Sequence, residues 1–411
     1  MKKSIIALTV FVLGYGWLVH NNVFALNGPA RLYDEVWQYV DRRYVDKTDN
    51  HQDWNAKWRH KYDNYLQTNE DAYVAINTML ASLNDPYTRF LDPKENKEEN
   101  NAMQGSLKGI GIQIGMKDGK LTVIAPIEDT PAEKAGLLAG DEILEINGNS
   151  TKSITVDKAA EQIRGPEGTQ VSLLIKRGEQ EPKLYTVTRA TIKLKSVSQK
   201  VPESVKMPDD ICYIRLSSFM SQTAAMEFRS IIEKNYNKKG FIIDLRSNPG
   251  GRLMHAITIA DMFLDKGSDI VSQVDRNNYK NVDRATKGVL TKKPVVVVIN
   301  KGSASASEIL SGALRDNGKA VLVGETTFGK GLVQEVIPLG PNRETCVHIT
   351  IQKYLTPNGT DIHKRGIKPD VEVKLSEEDI KNKNDVQLKK AIEVMQKMTG
   401  GASVASFTGR Y

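Results

Sequence analysis

Pro294-Val295-Val296-Val297-Val298-Ile299-Asn300-Lys301-Gly302-Ser303-Ala304-Ser305-Ala306-Ser307-Glu308 joins an apolar run to a turn of small residues and the entry of a helix. Val295 to Ile299 are all β-branched and leave no polar face, the pattern of a strand buried on both sides in a parallel sheet. A helix is expected over Ser307 to Arg315. The flanking chain repeats this alternation: strands over Ile211 to Leu216, Phe241 to Leu245, Ala320 to Gly324 and Leu332 to Pro338, and helices over Ala224 to Asn235 and Arg252 to Phe263. From Asp210 onward the expected class is therefore α/β. Such folds expose reactive groups at the carboxyl ends of their strands, where residues 300–308 lie.

The 411 residues leave room for roughly two to four domains, so the chain is expected to be multi-domain. With 40% hydrophobic and 26% charged residues it is composed like a globular protein, which excludes wholesale disorder and a polytopic membrane protein. The formal charge of +7 is spread without a Lys/Arg block, so no nucleic-acid partner is implied. Cys212 and Cys346, the only cysteines, sit in apolar runs far from any metal-ligand spacing. Neither a disulfide scaffold nor a metal site is expected.

Lys2 and Lys3 precede an apolar run from Ile5 to Val19, followed by Val23-Phe24-Ala25, the small-x-small pattern of a signal-peptide cleavage site. Residues 1–25 are expected to direct export and to be removed. The run is shorter than the roughly 20 residues that span a bilayer, which favours cleavage; an uncleaved segment would leave the protein membrane-associated.

Residues 26–104 read as helical, with Leu32, Val36, Val40 and Tyr44 at four-residue steps, and look like an arm or a platform. Asp85-Pro86 and Asp92-Pro93 interrupt them, and Trp37, Trp54 and Trp58 are expected to pack. From 105 to 195 the texture becomes Gly-punctuated strands. Thr130-Pro131-Ala132-Glu133 reads as a capping-box start of a short helix, and Val156, Ala159, Ala160 and Ile163 mark a longer one ending at Arg164-Gly165. Strand, short helix, strands, longer helix, strand resembles a PDZ domain. In that module the loop Gly109-Ile110-Gly111-Ile112 would hold a peptide's terminal carboxylate on backbone N–H groups.

A second stretch, Gly324-Glu325-Thr326-Thr327-Phe328-Gly329-Lys330-Gly331-Leu332-Val333-Gln334, would put Lys330, Leu332 and Gln334 on one face if it entered a strand directly. A phosphate loop is excluded because Gly331 follows Lys330 where Ser or Thr is required. Together with Asp244-Leu245-Arg246-Ser247-Asn248-Pro249-Gly250-Gly251, Tyr354-Leu355-Thr356-Pro357-Asn358-Gly359 and Gly366-Ile367-Lys368-Pro369-Asp370, these stretches resemble the carboxyl-terminal processing proteases, also called tail-specific proteases. The likeness runs in family order over some 300 residues. It implies a mixed α/β protease core over 196–375 with the PDZ domain inserted before it and a helical tail over 376–411.

That resemblance implies Ser305 as nucleophile, Lys330 as general base and Gln334 as the residue orienting the lysine, with the backbone N–H groups of Gly251 and Ala306 as the oxyanion hole. The chemistry agrees: a serine needs a base, a lysine serves only when burial keeps it neutral, and an amide can orient it without adding charge. Ser307 is expected to be a helix-cap serine, and Asp244 and Arg246 to be structural. Of the histidines after the signal segment, His255 is the least implausible member of a Ser-His alternative. The PDZ loop, with Ile163 lining its groove, would capture free C-termini of exported proteins, and Arg164 could couple the module to activity. No cofactor is implied. The N-terminal helices could form a homodimer, and an activator protein is conceivable. The other class of function is a catalytically silent PDZ adaptor, which would need none of Ser305, Lys330 and Gln334. Asp85-Pro86-Tyr87-Thr88-Arg89-Phe90 resembles the version of this motif in cyanobacterial and plastid members, some of which mature a photosystem II precursor; the expected location is periplasmic or cell-envelope, or lumenal in a photosynthetic organism.

Overall fold

The computed structural model describes residues 28–408 except 63, 104–105, 118, 127–129, 139, 155, 194–195, 288, 377 and 380–381. The expected signal segment lies outside them. No helix among the described residues is long and apolar enough to cross a membrane.

The N-terminal region forms α1 (Gly28–Arg43), α2 (Trp54–Trp58) and α3 (Asn69–Ala81). Thr68 starts α3 through a reciprocal cap with Asp71. Trp37, Trp54 and Trp58 are buried, as their packing role requires. These helices are not a free arm: their apolar faces close one core with Ile337, Leu339, Val347 and Ile349 of the protease part. Between the two Asp-Pro breaks lies β1 (Arg89–Leu91), which pairs antiparallel with the strand Thr345–Leu355. α4 (Pro93–Met103) leads into the next module.

That module comprises β2 (Ser106–Gly109), β3 (Ile112–Lys117), β4 (Lys120–Pro126), α5 (Pro131–Lys134), β5 (Glu142–Ile146), β6 (Asn149–Ser150), α6 (Val156–Ile163), β7 (Gln170–Lys176), β8 (Lys183–Thr188) and β9 (Ala190–Lys193). Its main sheet has the order β3-β4-β5-β7-β8, with β3 at an edge, and β2 pairs with β9.

The remaining chain runs β10 (Val197–Ser198), β11 (Ile211–Leu216), α7 (Ala224–Lys234), β12 (Gly240–Asp244), α8 (Leu253–Asp261), β13 (Asp269–Asp275), β14 (Lys280–Arg284), β15 (Val295–Ile299), α9 (Ala306–Asp316), β16 (Ala320–Gly324), β17 (Leu332–Leu339), β18 (Thr345–Leu355), β19 (Val371–Glu372), α10 (Val386–Thr399) and α11 (Ala405–Thr408). One sheet has the order β10-β11-β12-β15-β16-β19 and is parallel from β11 onward. Every residue of β12, β15 and β16 is buried because both faces are covered. Helices α7, α8 and α9 cover one face. The other is covered by α10, whose Leu388, Ala391 and Met395 pack on Tyr213, Ile242 and Val296, so the C-terminal helix is part of the core and not a tail. A second, antiparallel sheet, β1-β18-β13-β14 with β17 also on β18, draws one strand from the N-terminal region.

Candidate active site

Because β12, β15 and β16 are adjacent and parallel, the loops leaving their carboxyl ends lie side by side. These loops carry Asn248-Pro249-Gly250-Gly251, Ser303-Ala304-Ser305 and Thr327 to Gly331. Asn248 is fully buried and joins the first two: its carbonyl accepts from the Ala304 N–H (3.0 Å) and the Ser307 hydroxyl (2.9 Å), and its side chain accepts from the Gly250 N–H and donates to the Leu216 carbonyl. Ser307 thus has a structural role.

Ser305 precedes α9 with φ +55°, a conformation L-residues rarely adopt. Gly250 packs against it, since a Cβ there would lie 2.7 Å from the Ala304 carbonyl oxygen and 2.9 Å from Ser305 Cβ. Gly251 has φ +141°, and a Cβ on it would meet the Phe219 carbonyl carbon at 2.5 Å. Among the described residues neither the Gly251 nor the Ala306 N–H donates to a protein acceptor outside regular structure.

Glu308 ties the serine loop to the lysine loop. Its fully buried carboxylate accepts from the Ser305 N–H at 2.8 Å and the Lys330 N–H at 2.9 Å through Oε2. Through Oε1 it accepts from the Thr327 hydroxyl at 2.6 Å and the Gly329 N–H at 2.7 Å. Burial pushes this carboxyl above its ordinary pKa, against the pull of those four hydrogen bonds. Tyr354 adds a second tie, its hydroxyl donating to the Ser305 carbonyl (3.3 Å) and to the Lys330 carbonyl. Sequence reasoning missed both. Ser305-Ala306-Ser307-Glu308 is itself a capping-box pattern that could have revealed Glu308, whereas Tyr354, although it opens one of the resembling stretches, is 49 residues from Ser305, and no local pattern says that its hydroxyl reaches that loop.

The Lys330 amine is pulled below the ordinary lysine pKa by burial and then by the Arg89 charge, against Asp85 and Glu99. Its Nζ sits 4.7 Å from the centroid of the Tyr87 ring, and among the described residues no carboxylate is within ion-pair distance of it. Lys330 lies just before β17 and Gln334 lies within it, where the β18 partner register skips Ile351 between Val333 and Gln334. The Gln334 amide donates to Thr350 Oγ1 at 3.4 Å.

No histidine among the described residues is hydrogen-bonded to Ser305. His255 Nδ1 lies 3.0 Å from the Phe219 carbonyl, and His348 Nε2 lies 2.9 Å from a Glu99 oxygen. Asp244 and Arg246 are structural: the guanidinium spans Asp244 and Asp385, tying the end of β12 to the start of α10. Burial pushes the Asp244 carboxyl up, but Arg246 and Arg215 together outweigh it and leave it low.

In the second module the Ile110 carbonyl accepts from the Ala132 N–H (2.8 Å) and the Gly111 carbonyl from the Thr130 hydroxyl (3.2 Å). Thr130 therefore anchors the loop in place of making the expected capping box. N–H and C=O of a trans peptide point oppositely, so the N–H groups of Gly111 and Ile112 face away from α5. Gly111 has φ +82°, and a Cβ there would lie 2.4 Å from Thr130. Ile163 is 5% exposed in the module's core, so it supports the loop from beneath where a groove-lining position was expected. Arg164 is exposed and its backbone lies beside Gly109. The C-terminus of α6 is capped by buried Arg189, which donates to the carbonyls of Ile163 (2.8 Å) and Gln162 (2.9 Å); 26 residues downstream, it gave no sequence signal.

Residues 210–373 match the model of peptidase family S41, and residues 122–177 match that of a PDZ domain. The carboxyl-terminal-processing protease of Synechocystis sp. is 39% identical over 395 residues, covering 93% of this chain and 90% of that relative. The chain belongs to peptidase family S41. Within S41 it is also 39% identical over 319 residues to the carboxy-terminal processing protease CtpA of Bacillus subtilis, covering 77% of this chain and 67% of that one. Among solved structures, a photosystem II D1 C-terminal processing protease superposes with a TM-score of 0.59 at 32% identity, covering 85% of this chain and 94% of that one. The protein is thus a serine-type peptidase of the S41 family carrying a PDZ domain, and its relatives include bacterial and chloroplastic processing proteases.

Proposed function

We propose that this peptidase is an exported endopeptidase that captures the free C-terminus of a protein on its PDZ domain and cleaves near that end with Ser305 and Lys330. The observation that carries the reading is Glu308, which accepts N–H groups from both residues and so ties the serine loop to a buried lysine that has no ion-pair partner among the described residues. In this mechanism the neutral Lys330 amine takes the Ser305 hydroxyl proton as Oγ adds to the scissile carbonyl. The N–H groups of Gly251 and Ala306 receive the resulting oxyanion. The ammonium then protonates the departing amine, and water, deprotonated by the same lysine, hydrolyses the acyl-enzyme and regenerates Ser305.

The PDZ edge strand β3 has an open side on which an extended tail can pair, and the Gly111 and Ile112 N–H groups would take its carboxylate. Substrates are then proteins of the periplasm or cell envelope, or of a lumen in a photosynthetic cell. The test is cleavage of an unstructured protein by purified Ser305→Ala and Lys330→Arg variants. Both should be inactive while folded, because arginine keeps the charge but cannot serve as a base at ordinary pH. Parent-level cleavage by either removes that residue from the mechanism.

A further inference from the structure

The Lys330 amine is faced by a ring that the S41-matching segment, 210–373, does not supply. Tyr87 presents its ring to Nζ from the loop between α3 and β1. That loop is held firmly: the Asp85 carboxylate accepts from the Tyr87 N–H (3.0 Å) and the Thr88 hydroxyl (2.7 Å), and Thr88 Oγ1 accepts from the Thr350 N–H (3.0 Å). The strand that follows pairs Arg89 with His348 in register on β18. Arg89 is ion-paired with Glu99 of α4, whose other oxygen faces His348.

We propose that Tyr87 is a positioning residue for the Lys330 amine, its ring seating the amine out of water. The inference rests on the reading of Lys330 as general base. A ring face attracts an ammonium, so Tyr87 by itself orients the amine without selecting its charge. Exclusion of water by that ring works against the charged form. The charged groups acting on Nζ are Arg89 and Asp85 from the N-terminal region and Glu99 from α4. The other titratable groups packed around the lysine loop are Tyr87, Glu308 of α9, Tyr354 of β18, and His363 and Lys364 of the loop against Gly329 and Gly331. The N-terminal region would then complete the site chemically as well as structurally.

The test uses the full chain and two readouts: the pH dependence of kcat/KM on an unstructured peptide, and the pH dependence of Lys330 labelling by an amine-acetylating reagent followed by mass spectrometry. Tyr87→Ala should raise both midpoints by about 0.5 to 1 pH unit, so that kcat/KM below the midpoint falls about three- to tenfold. Tyr87→Phe should return the midpoints to the parent's, and the effect of Tyr87→Ala should persist at about 1 M salt because it is not a charge effect. If Tyr87→Ala slows the enzyme but leaves both midpoints in place, the residue is merely structural and the inference is wrong. Lys330→Ala separates the two ideas: parent-level cleavage would overturn the base assignment, while the labelling midpoint of the Tyr87 variants would still report whether the ring acts on the amine.

Discussion

Replacing Glu308 by glutamine tests the tie between the two loops with almost no change of shape. The carboxylate satisfies four donors, two on each oxygen. A glutamine has one acceptor oxygen, and its NH2 must face one of those pairs. The less costly orientation keeps the oxygen toward the Ser305 and Lys330 N–H groups and turns the NH2 toward Thr327 and Gly329. The Thr327 hydroxyl can rotate to accept, although it already accepts from the Ile367 N–H at 2.7 Å. The Gly329 N–H is left orphaned at about 1 to 3 kcal/mol, and the surviving bonds lose their charge assistance. A net destabilisation of about 2 kcal/mol follows after allowing for removal of a buried charge. In a core of this size that corresponds to a fall in Tm of roughly 4 to 8 °C. Thermal unfolding by circular dichroism gives the first number, and peptide turnover at a temperature where both proteins are folded gives the second, expected to drop at least about tenfold as the lysine loop loosens. Parent-level turnover with Tm unchanged within about 1 °C would refute the role assigned to Glu308.

Ser305→Ala should abolish cleavage and leave Tm nearly unchanged, whereas Ser305→Gly should be equally inactive yet more stable by about 1 kcal/mol, because glycine relieves the positive φ; thermal melts of the pair decide it. Lys330→Met should raise Tm by removing a desolvated amine. Since the folded-state pKa is lowered, the unfolded chain binds more protons between that value and the ordinary lysine pKa, so parent stability rises with pH across this window; the gain should be largest below it and fade as pH rises through it. Amidating the C-terminus of a long substrate removes charge-assisted hydrogen bonds worth roughly 1.5 to 3 kcal/mol each. Turnover at limiting concentration should fall about tenfold or more, and equal rates for free-acid and amidated tails would dismiss capture by the Gly109 to Ile112 loop.

The alternation of strands and helices after Asp210 was legible because each element is set by local pattern: a short, all-apolar, β-branched run favours a doubly covered strand, and the amphipathic period of α6 shows one face. Ser305 and Lys330 were readable as motif residues at the ends of such strands. Other features depended on which elements lie side by side, and no local pattern encodes that. The C-terminal helix read as a charged tail, yet its apolar stripe had a sheet face to cover that only the assembled sheet creates. Arg89 to Leu91 is too short to announce a strand until β18 offers an edge. The partner of the Gln334 amide, Thr350, is set by the register of β17 on β18, which no local pattern gives. Glu308 became the junction of two loops because β15 and β16 are neighbours, and Tyr87 reached the lysine from more than two hundred residues away. Local periodicity and turn chemistry determined which elements form; long-range pairing and burial decided which side chains meet, and with them the environment on which the chemistry of Lys330 depends.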